Sequence, residues 1–410
     1  MGQSDSQPKQ RVRGVRDLAK TGSDSISRIE PYLQDADLGV RVEAVKAIAE
    51  IGTQKCLAPL VAALGDNDAE VQIRATDGLV NFYLPGYIKT GLTGTLKRAG
   101  SVVKGKLTDT NEQIIEAYVT VRPDVIEGLG KLVRGGVNME ARANAARALG
   151  ILRGRAALDD VISALKSKDD QVMYESLIAI QKIHDPAAAP RIAFLLRDLV
   201  DRVQIAAIET TGLLRNQSAL PDLRDVLEHG RSVKVRRAAL SALAMIPDAG
   251  NRPAFAKYIN DKDEVMRAAA AEGYARLKDP ADQPMIDTAF EAESKMNPRL
   301  SLAFASAAIG RNDLGEFSPL RYLINTLNQR AYRGVAKPFL AELTRDPGVR
   351  RTVYTAIKTG TRDEKIYLGQ VLAVSGDAES VKYLEALAAD PDTEVAQDGL
   401  RSLRTLRAKL

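Results

Sequence analysis

The chain has a single cysteine, Cys56, in 410 residues, no tryptophan and only two histidines, His184 and His229. Each scarcity closes a class of chemistry. One thiol rules out an internal disulfide framework and any cysteine-rich metal site. Cys56 lies in KCLAPLVAAL, a helical pattern in which it reads as a small buried hydrophobe. The alternative, a reactive thiol, needs a neighbouring cation or histidine, and only Lys55 is adjacent. The two histidines precede Asp185 and Gly230 and offer no metal-ligand spacing. Each ends a helical pattern, where a partly charged imidazole complements the negative end of the helix dipole. No metal and no cofactor is expected.

Aromatic residues make up 5% of the chain, which suits small-residue helix packing better than an aromatic-centred globule. No run of about 18 apolar residues exists, so no helix is expected to span a membrane. There is no G-x-S-x-G, no Walker loop, and no strand from which a dinucleotide-binding glycine turn would follow. Carboxylates are plentiful but fall at helix caps and polar faces, and nothing marks an enzyme.

What is present is apolar residues at 45% and charged residues at 27%, with a net charge of +5. Charge of mixed sign reads as a solvated surface rather than a dedicated polyanion binder. Residues 1–13, MGQSDSQPKQRVR, are polar and expected to be disordered, with no apolar signal core. Gly2 and Ser6 fit the short N-myristoylation pattern. The expected compartment is cytoplasmic as the sequence stands, or periplasmic or secreted if a signal was removed ahead of Gln3.

The rest is periodic. One block recurs as GVRVEAVKAIAEIG, EVQIRATDGLVNF, EARANAARALGIL, QVMYESLIAIQKI, RVQIAAIETTGLL, KVRRAALSALAMI and EVMRAAAAEGYARL. Its leading apolar residue, the anchor, falls at Val40, Val71, Ala141, Val172, Val203, Val235 and Val265, in steps of 31, 70, 31, 31, 32 and 30. Looser copies follow at Leu300, near Ala331, at Ile366 and at Val395. A proline column, Pro59, Pro190, Pro221, Pro253, Pro284 and Pro319, is expected to open the other helix of each unit. Asp37, Asp68, Asn138, Asp170, Asp201, Ser232 and Asp263 are expected to cap the block helices. Four residues past the anchor stands a small residue (Ala44, Ala75, Ala145, Ser176, Ala207, Ala239, Ala269), and eight past it a large one such as Ile48, Leu79, Leu149, Ile180 or Leu243. These positions share one helical stripe. One unit cannot bury that stripe alone, but stacked units can. The prediction is an all-α solenoid of about eleven helix pairs over residues 14–410.

On Leu220-Pro221-Asp222-Leu223 followed by Val235-Arg236-Arg237-Ala238-Ala239-Leu240-Ser241-Ala242-Leu243, the chain resembles HEAT-repeat proteins of the short bacterial, phycobilisome-lyase-like type. The resemblance covers most of residues 14–410. It implies a right-handed superhelix of HEAT-like pairs and leaves function open, because that family includes scaffolds, bilin lyases, a metal-dependent hydroxylase and DNA-repair proteins. The hydroxylase would need repeated His-Glu pairs, which two histidines cannot supply. Bilin-lyase activity has no motif of its own here.

An arginine column near the start of the block helices includes Arg41, Arg142, Arg236, Arg237, Arg267, Arg350 and Arg351. It ties neighbouring repeats together through their capping Asp, or it lines a basic groove for nucleic acid. One stretch departs from the pattern: YIKTGLTGTLKRAGSVVKGKL, residues 87–107, basic and rich in glycine. Its 70-residue step equals two periods plus eight residues, so 84–121 reads as a divergent repeat or an insertion. Ile88, Leu92, Leu96, Ala99, Val103 and Leu107 keep a helical stripe, and the glycines oppose a helix. It serves as a diverged repeat, a partner-binding element, or a basic segment touching an anionic membrane surface.

The leading expectation is a non-enzymatic scaffold that takes a protein or peptide on the concave face of the solenoid. The alternatives are a nucleic-acid-binding or DNA-repair-like protein and a membrane-surface adaptor acting through 87–107. Nucleic acid is the disfavoured partner, given the interspersed acids and the absence of Trp. Candidate partner-binding residues are Tyr87, Lys89, Lys97, Arg98, Lys104, Lys106, Arg142, Arg236, Arg237 and Arg267.

Overall fold

The computed structural model describes residues 7–87 and 113–410, and these form helices and turns with no strand among them. The chain divides into two compact units, Met1–Ile115 with Val119–Thr210, and Glu116–Tyr118 with Thr211–Leu410.

In the first unit, α1 (Pro8–Ala19) precedes a pair made of α2 (Ile26–Ile29), with 3-10 turns on either side, and α3 (Leu38–Ile51). Further pairs are α4 (Leu57–Ala63) with α5 (Ala69–Tyr83), α6 (Pro123–Gly135) with α7 (Met139–Ile151), and α8 (Leu158–Ala164) with α9 (Asp170–Ile183). The helix α10 (Asp201–Leu213) begins in this unit and ends in the next. The second helices form a packed series, α1 on α3, α3 on α5, α5 on α7 and α7 on α9, while α4 packs on α6 and α6 on α8.

The second unit holds the pairs α11 (Leu220–His229) and α12 (Val233–Met245), α13 (Arg252–Tyr258) and α14 (Glu264–Leu277), and α15 (Gln283–Ala292) and α16 (Met296–Ile309). It continues with α17 (Pro319–Thr326) and α18 (Arg333–Leu343), α19 (Pro347–Thr359) and α20 (Arg362–Ser375), and α21 (Val381–Ala388) and α22 (Thr393–Arg407). Here too the second helices stack in order, from α12 through α14, α16, α18 and α20 to α22. The fold is an all-α solenoid of repeated helix pairs, as the periodicity predicts.

The buried stripe is the expected one. Val40, Val71, Ala141, Val172, Val203 and Val235 are fully buried, as are Ala44, Ala75, Ala145, Ser176, Ala207 and Ala239 four residues on. Small residues let neighbouring helices close in. A Cβ on Gly150 of α7 would stand 2.8 Å from the Ala179 Cα of α9.

Five local expectations are corrected, the first at the N-terminus, where residues 8–13, expected to be disordered, begin α1 and Arg11 bonds Asp35 at 2.7 Å. Val265 is 39% exposed, and Met266, 6% exposed, is the true anchor. The cap shows why. A capping side chain lies three residues before the anchor at Asp37, Asp68, Asn138, Asp169, Ser232 and Asp263, which sets the register at Met266. Asp169, not Asp170, caps α9 by accepting from the Val172 N–H at 3.0 Å, and Asp201 is the first residue of α10 rather than its cap. Pro190 opens no α-helix. It sits inside the 3-10 turn Pro186–Arg191, and a second turn, Ala193–Arg197, follows. A mid-segment proline removes a donor and clashes with the preceding turn, so this repeat lacks a continuous first helix.

The divergent segment 84–121 lies largely outside the described residues. Its flanks are defined. The Arg122 N–H donates to the Tyr83 hydroxyl at 3.1 Å, so the two bracketing residues meet. The helices α5 and α7 pack together as consecutive repeats do.

Candidate interaction surface

The arginine column is built into the turns of the repeats. Five guanidinium groups each donate to the carbonyl six residues back, at the end of the preceding helix: Arg41 to Asp35 (3.0 Å), Arg236 to Gly230 (2.8 Å), Arg267 to Asp261 (2.7 Å), Arg333 to Leu327 (2.9 Å) and Arg350 to Thr344 (3.0 Å). Carbonyls at a helix end have no intrahelical partner, so each bond satisfies an orphan acceptor. Four of these arginines also reach a carboxylate of the next repeat. Arg41 pairs with Asp66 at 2.9 Å, Arg267 with Glu293 at 2.7 Å, Arg333 with Asp363 at 2.5 Å, and Arg350 with Asp377. Arg236 leaves that role to Arg237, which pairs with the capping Asp263 at 2.8 Å. Arg142 donates to the Val133 carbonyl at 2.8 Å and reaches the Met139 sulfur.

Arg142 in the first unit and Arg236, Arg237 and Arg267 in the second are thus each held by the architecture. Tyr87 is half-buried, and its backbone N–H donates to Leu84. Lys89, Lys97, Arg98, Lys104 and Lys106 lie outside the described residues.

A second stripe carries more polar chemistry. Residues three, six and ten past the anchor share a helical face about a third of a turn from the buried one. In the first unit this stripe carries Glu43, Asp77, Asn144, Arg147, Glu175, Lys182 and Glu209. Its members bond across successive second helices. The Asn144 amide donates to Asp77 at 3.0 Å. Arg147 forks onto Glu175 at 3.1 and 2.5 Å, and Gln171 donates to the same carboxylate at 2.7 Å. Arg202 then donates to Gln171 at 2.8 Å and lies 3.6 Å over the Tyr174 ring.

The electrostatics of the stripe follow from its burial, which is deep at Asn144, Glu175 and Lys182 and partial at Asp77 and Arg147. Burial pushes the Lys182 ammonium down to about 8, with Arg147 adding to the shift and Glu175 opposing it. The Lys182 Nζ donates to the Gln113 carbonyl at 3.2 Å. Burial disfavours the Arg147 charge, but Glu175 overcomes this and holds the guanidinium charged. Glu209 is accessible to water, yet burial raises its carboxyl above the usual range.

The second unit repeats the stripe at Glu272 and Arg276 of α14. Burial raises the Glu272 carboxyl, which accepts from Arg276 (3.2 Å) and the Ser301 hydroxyl (3.3 Å). Arg276 also bonds Glu342 on α18 at 2.9 Å, and Arg215 stands 3.6 Å from Glu342. These carboxylates are partnered by cations, and nothing in the arrangement resembles an acid–base pair facing a cleft. Among the described residues, no group of three or more His, Cys, Asp or Glu side chains is placed to hold a metal ion, and no helix is long and apolar enough to cross a membrane. Sequence reasoning missed this stripe because its signal is weak: single polar residues set among alanines at an offset from the core stripe.

The family comparison agrees with the repeat reading. The family model for HEAT repeats matches residues 3–80, 126–211, 189–275 and 220–296, more than half of the chain. No curated protein sequence matches. Solved structures with similarity include an engineered protein, at 19% identity and a TM-score of 0.40, with 98% of this chain and 97% of that one covered. The protein YibA of E. coli matches at 14% identity and a TM-score of 0.42, with 76% of this chain and 100% of that one covered. The CpcE–CpcF phycocyanin lyase complex of Nostoc sp. PCC7120 matches at 18% identity and a TM-score of 0.31, with 69% of this chain and 94% of that one covered. With its repeat period, its capped second helices and the matched model in agreement, this chain belongs to the HEAT-repeat family.

Proposed function

We propose that the protein is a non-enzymatic interaction scaffold that takes a protein or extended peptide along the face of its second helices. Stacked-repeat architectures offer extended concave surfaces rather than deep pockets, and one helix layer lines them. The observation that supports the reading is the polar stripe at one register of successive repeats, in which Asp77, Asn144, Arg147 and Glu175 bond one another while Asp77 and Arg147 stay partly exposed and Glu209 is exposed. Mixed charge suits a polypeptide. A polyanion would meet Asp77 and Glu209 on the same face, which weighs against nucleic acid.

Affinity capture with the full chain, followed by mass spectrometry, tests the proposal. A photo-crosslinking residue at the water-accessible position 209 then locates the contact. The expected result is a reproducible protein partner crosslinked at 209. Recovery of nucleic acid alone overturns the reading.

A further inference from the structure

The second helices of the first unit already hold a piece of non-helical chain. Residues 113–115 lie at the C-terminal ends of α7 and α9. The Ile115 N–H donates to the Ile151 carbonyl at 3.0 Å. Ile151 closes α7, so its carbonyl has no partner within the helix. The Lys182 Nζ of α9 donates to the Gln113 carbonyl at 3.2 Å. A C=O and an N–H two residues apart point to the same side of an extended chain, so one edge of this stretch meets both helices.

The two helix residues share a register. Ile151 and Lys182 each stand ten past their anchors, Ala141 and Val172. The Lys182 stem crosses from α9 onto α7, where a Cβ on Gly150 would stand 3.3 Å from its Cδ. In the second unit Gly212 and Met245 repeat that packing, and a Cβ on Gly212 would stand 3.2 Å from the Met245 sulfur. An apolar stem therefore satisfies the packing at this register. The ammonium of Lys182, a residue only 7% exposed, is an addition to it. Burying an ammonium is costly unless it donates, and a backbone carbonyl laid across the helix ends receives that donation.

One side chain anchors the stretch. Ile115 is 4% exposed, and it alone of residues 113–118 is buried. A single buried anchor beside main-chain bonds is how an extended peptide seats on a folded surface. Neither main-chain bond reads a side chain, so the anchor carries the sequence requirement. A segment with so little buried apolar area opens locally at low cost.

We propose that the C-terminal ends of α7 and α9 form a peptide groove, that residues 113–115 are its built-in occupant, and that an extended segment of a partner protein with an isoleucine or valine anchor binds there by displacing them. This rests on the scaffold reading and says where and how the partner is held. The internal segment competes at the high effective concentration of a tethered ligand, so a partner enters only when its contacts outdo those of Ile115.

The test is fluorescence anisotropy of the full chain with a fluorescein-labelled synthetic peptide of residues 113–118, Gln-Ile-Ile-Glu-Ala-Tyr. The unaltered chain should bind it weakly. Ile115→Asp cannot seat its own segment and should bind the peptide about tenfold tighter or more. A peptide with Asp at its third position should bind neither protein. Adding Lys182→Met to Ile115→Asp should weaken binding about tenfold, because the donor to the peptide carbonyl is gone. Should Ile115→Asp fail to fold, Ile115→Ala takes its place. Amide exchange gives a second readout on the unaltered chain, where saturating peptide should speed exchange of the Ile115 N–H. The proposal is overturned by absent peptide binding in the folded Ile115 variant, by equal affinity in the variant and the unaltered chain, by binding of the Asp peptide, by affinity that Lys182→Met leaves unchanged, or by Ile115 exchange that the peptide does not alter. A captured protein partner crosslinked at 209 alongside any of these results sinks the groove alone. Recovery of nucleic acid alone sinks the scaffold reading.

Discussion

Arg276 on α14 and Glu342 on α18 form an ion pair at 2.9 Å across 66 residues of chain, skipping the repeat between them. Repeat arrays are stabilised mainly by nearest-neighbour interfaces. This pair adds a link of longer range, and Arg276 reinforces it by donating to the Ala244 carbonyl of α12 at 3.3 Å. Arg276 is buried and keeps Glu272 when Glu342 is removed, so the change costs the charged hydrogen bonds to Glu342 rather than stranding the guanidinium. Glu342→Gln is expected to lower unfolding stability by about 1–2 kcal/mol. The double variant Glu342→Gln, Arg276→Met should recover part of that loss. Urea unfolding of the full chain checks both. A loss below about 0.5 kcal/mol in the single variant would place the pair among ordinary surface ion pairs.

Arg267→Lys separates architecture from binding. A lysine cannot fork onto Glu293 and also reach the Asp261 carbonyl. The expected cost is about 1–3 kcal/mol of stability, read from the urea midpoint at an unchanged slope. Arg236, whose guanidinium bonds the Gly230 carbonyl without a carboxylate, should lose less on the same change.

Two substitutions should stabilise the protein. The Ser176 hydroxyl is fully buried without a partner at the small-residue position of α9, where other repeats place alanine. Ser176→Ala removes an unsatisfied group and is expected to gain about 1 kcal/mol. Lys278 closes α14 with φ 53°, in the left-handed region, at the place where the first repeat uses Gly52 at φ 63°. Lys278→Gly should gain about 0.5–1 kcal/mol. Thermal melts of each variant test this, and a lower melting temperature would refute it.

Stability should fall in acid. The bond from Arg11 holds the Asp35 carboxyl below its usual range, Arg16 does the same for Glu43, and Lys365 for Asp390. These folded-state values lie below the unfolded ones of about 4, so the folded protein binds fewer protons. The contribution is complete above that range and is lost as pH drops through the folded values. Glu272 acts in the opposite direction, because its raised carboxyl favours the protonated folded form. Urea unfolding from pH 7 to pH 3 should show a plateau followed by a decline below about pH 4. Lys365→Met should flatten part of that decline.

The sequence by itself determined the repeat. A 31-residue period, a capping residue and a small residue four past the anchor are local requirements of one helix meeting its neighbour, so they are written locally. Even the slip at Val265 was recoverable, because the cap at Asp263 and the arginine at 267 both point to Met266. The second-helix stripe was less legible. Whether Glu175 faces Arg147, or Glu342 faces Arg276, depends on how far apart neighbouring helices settle and how each is turned, and helical spacing within one repeat does not encode either. Arg299 shows the same limit. In sequence it is one more arginine near a helix start. Only packing decides that it meets Phe290 and Tyr322 rather than a carboxylate, because those rings come from α15 and α17, the first helices of its own repeat and of the next.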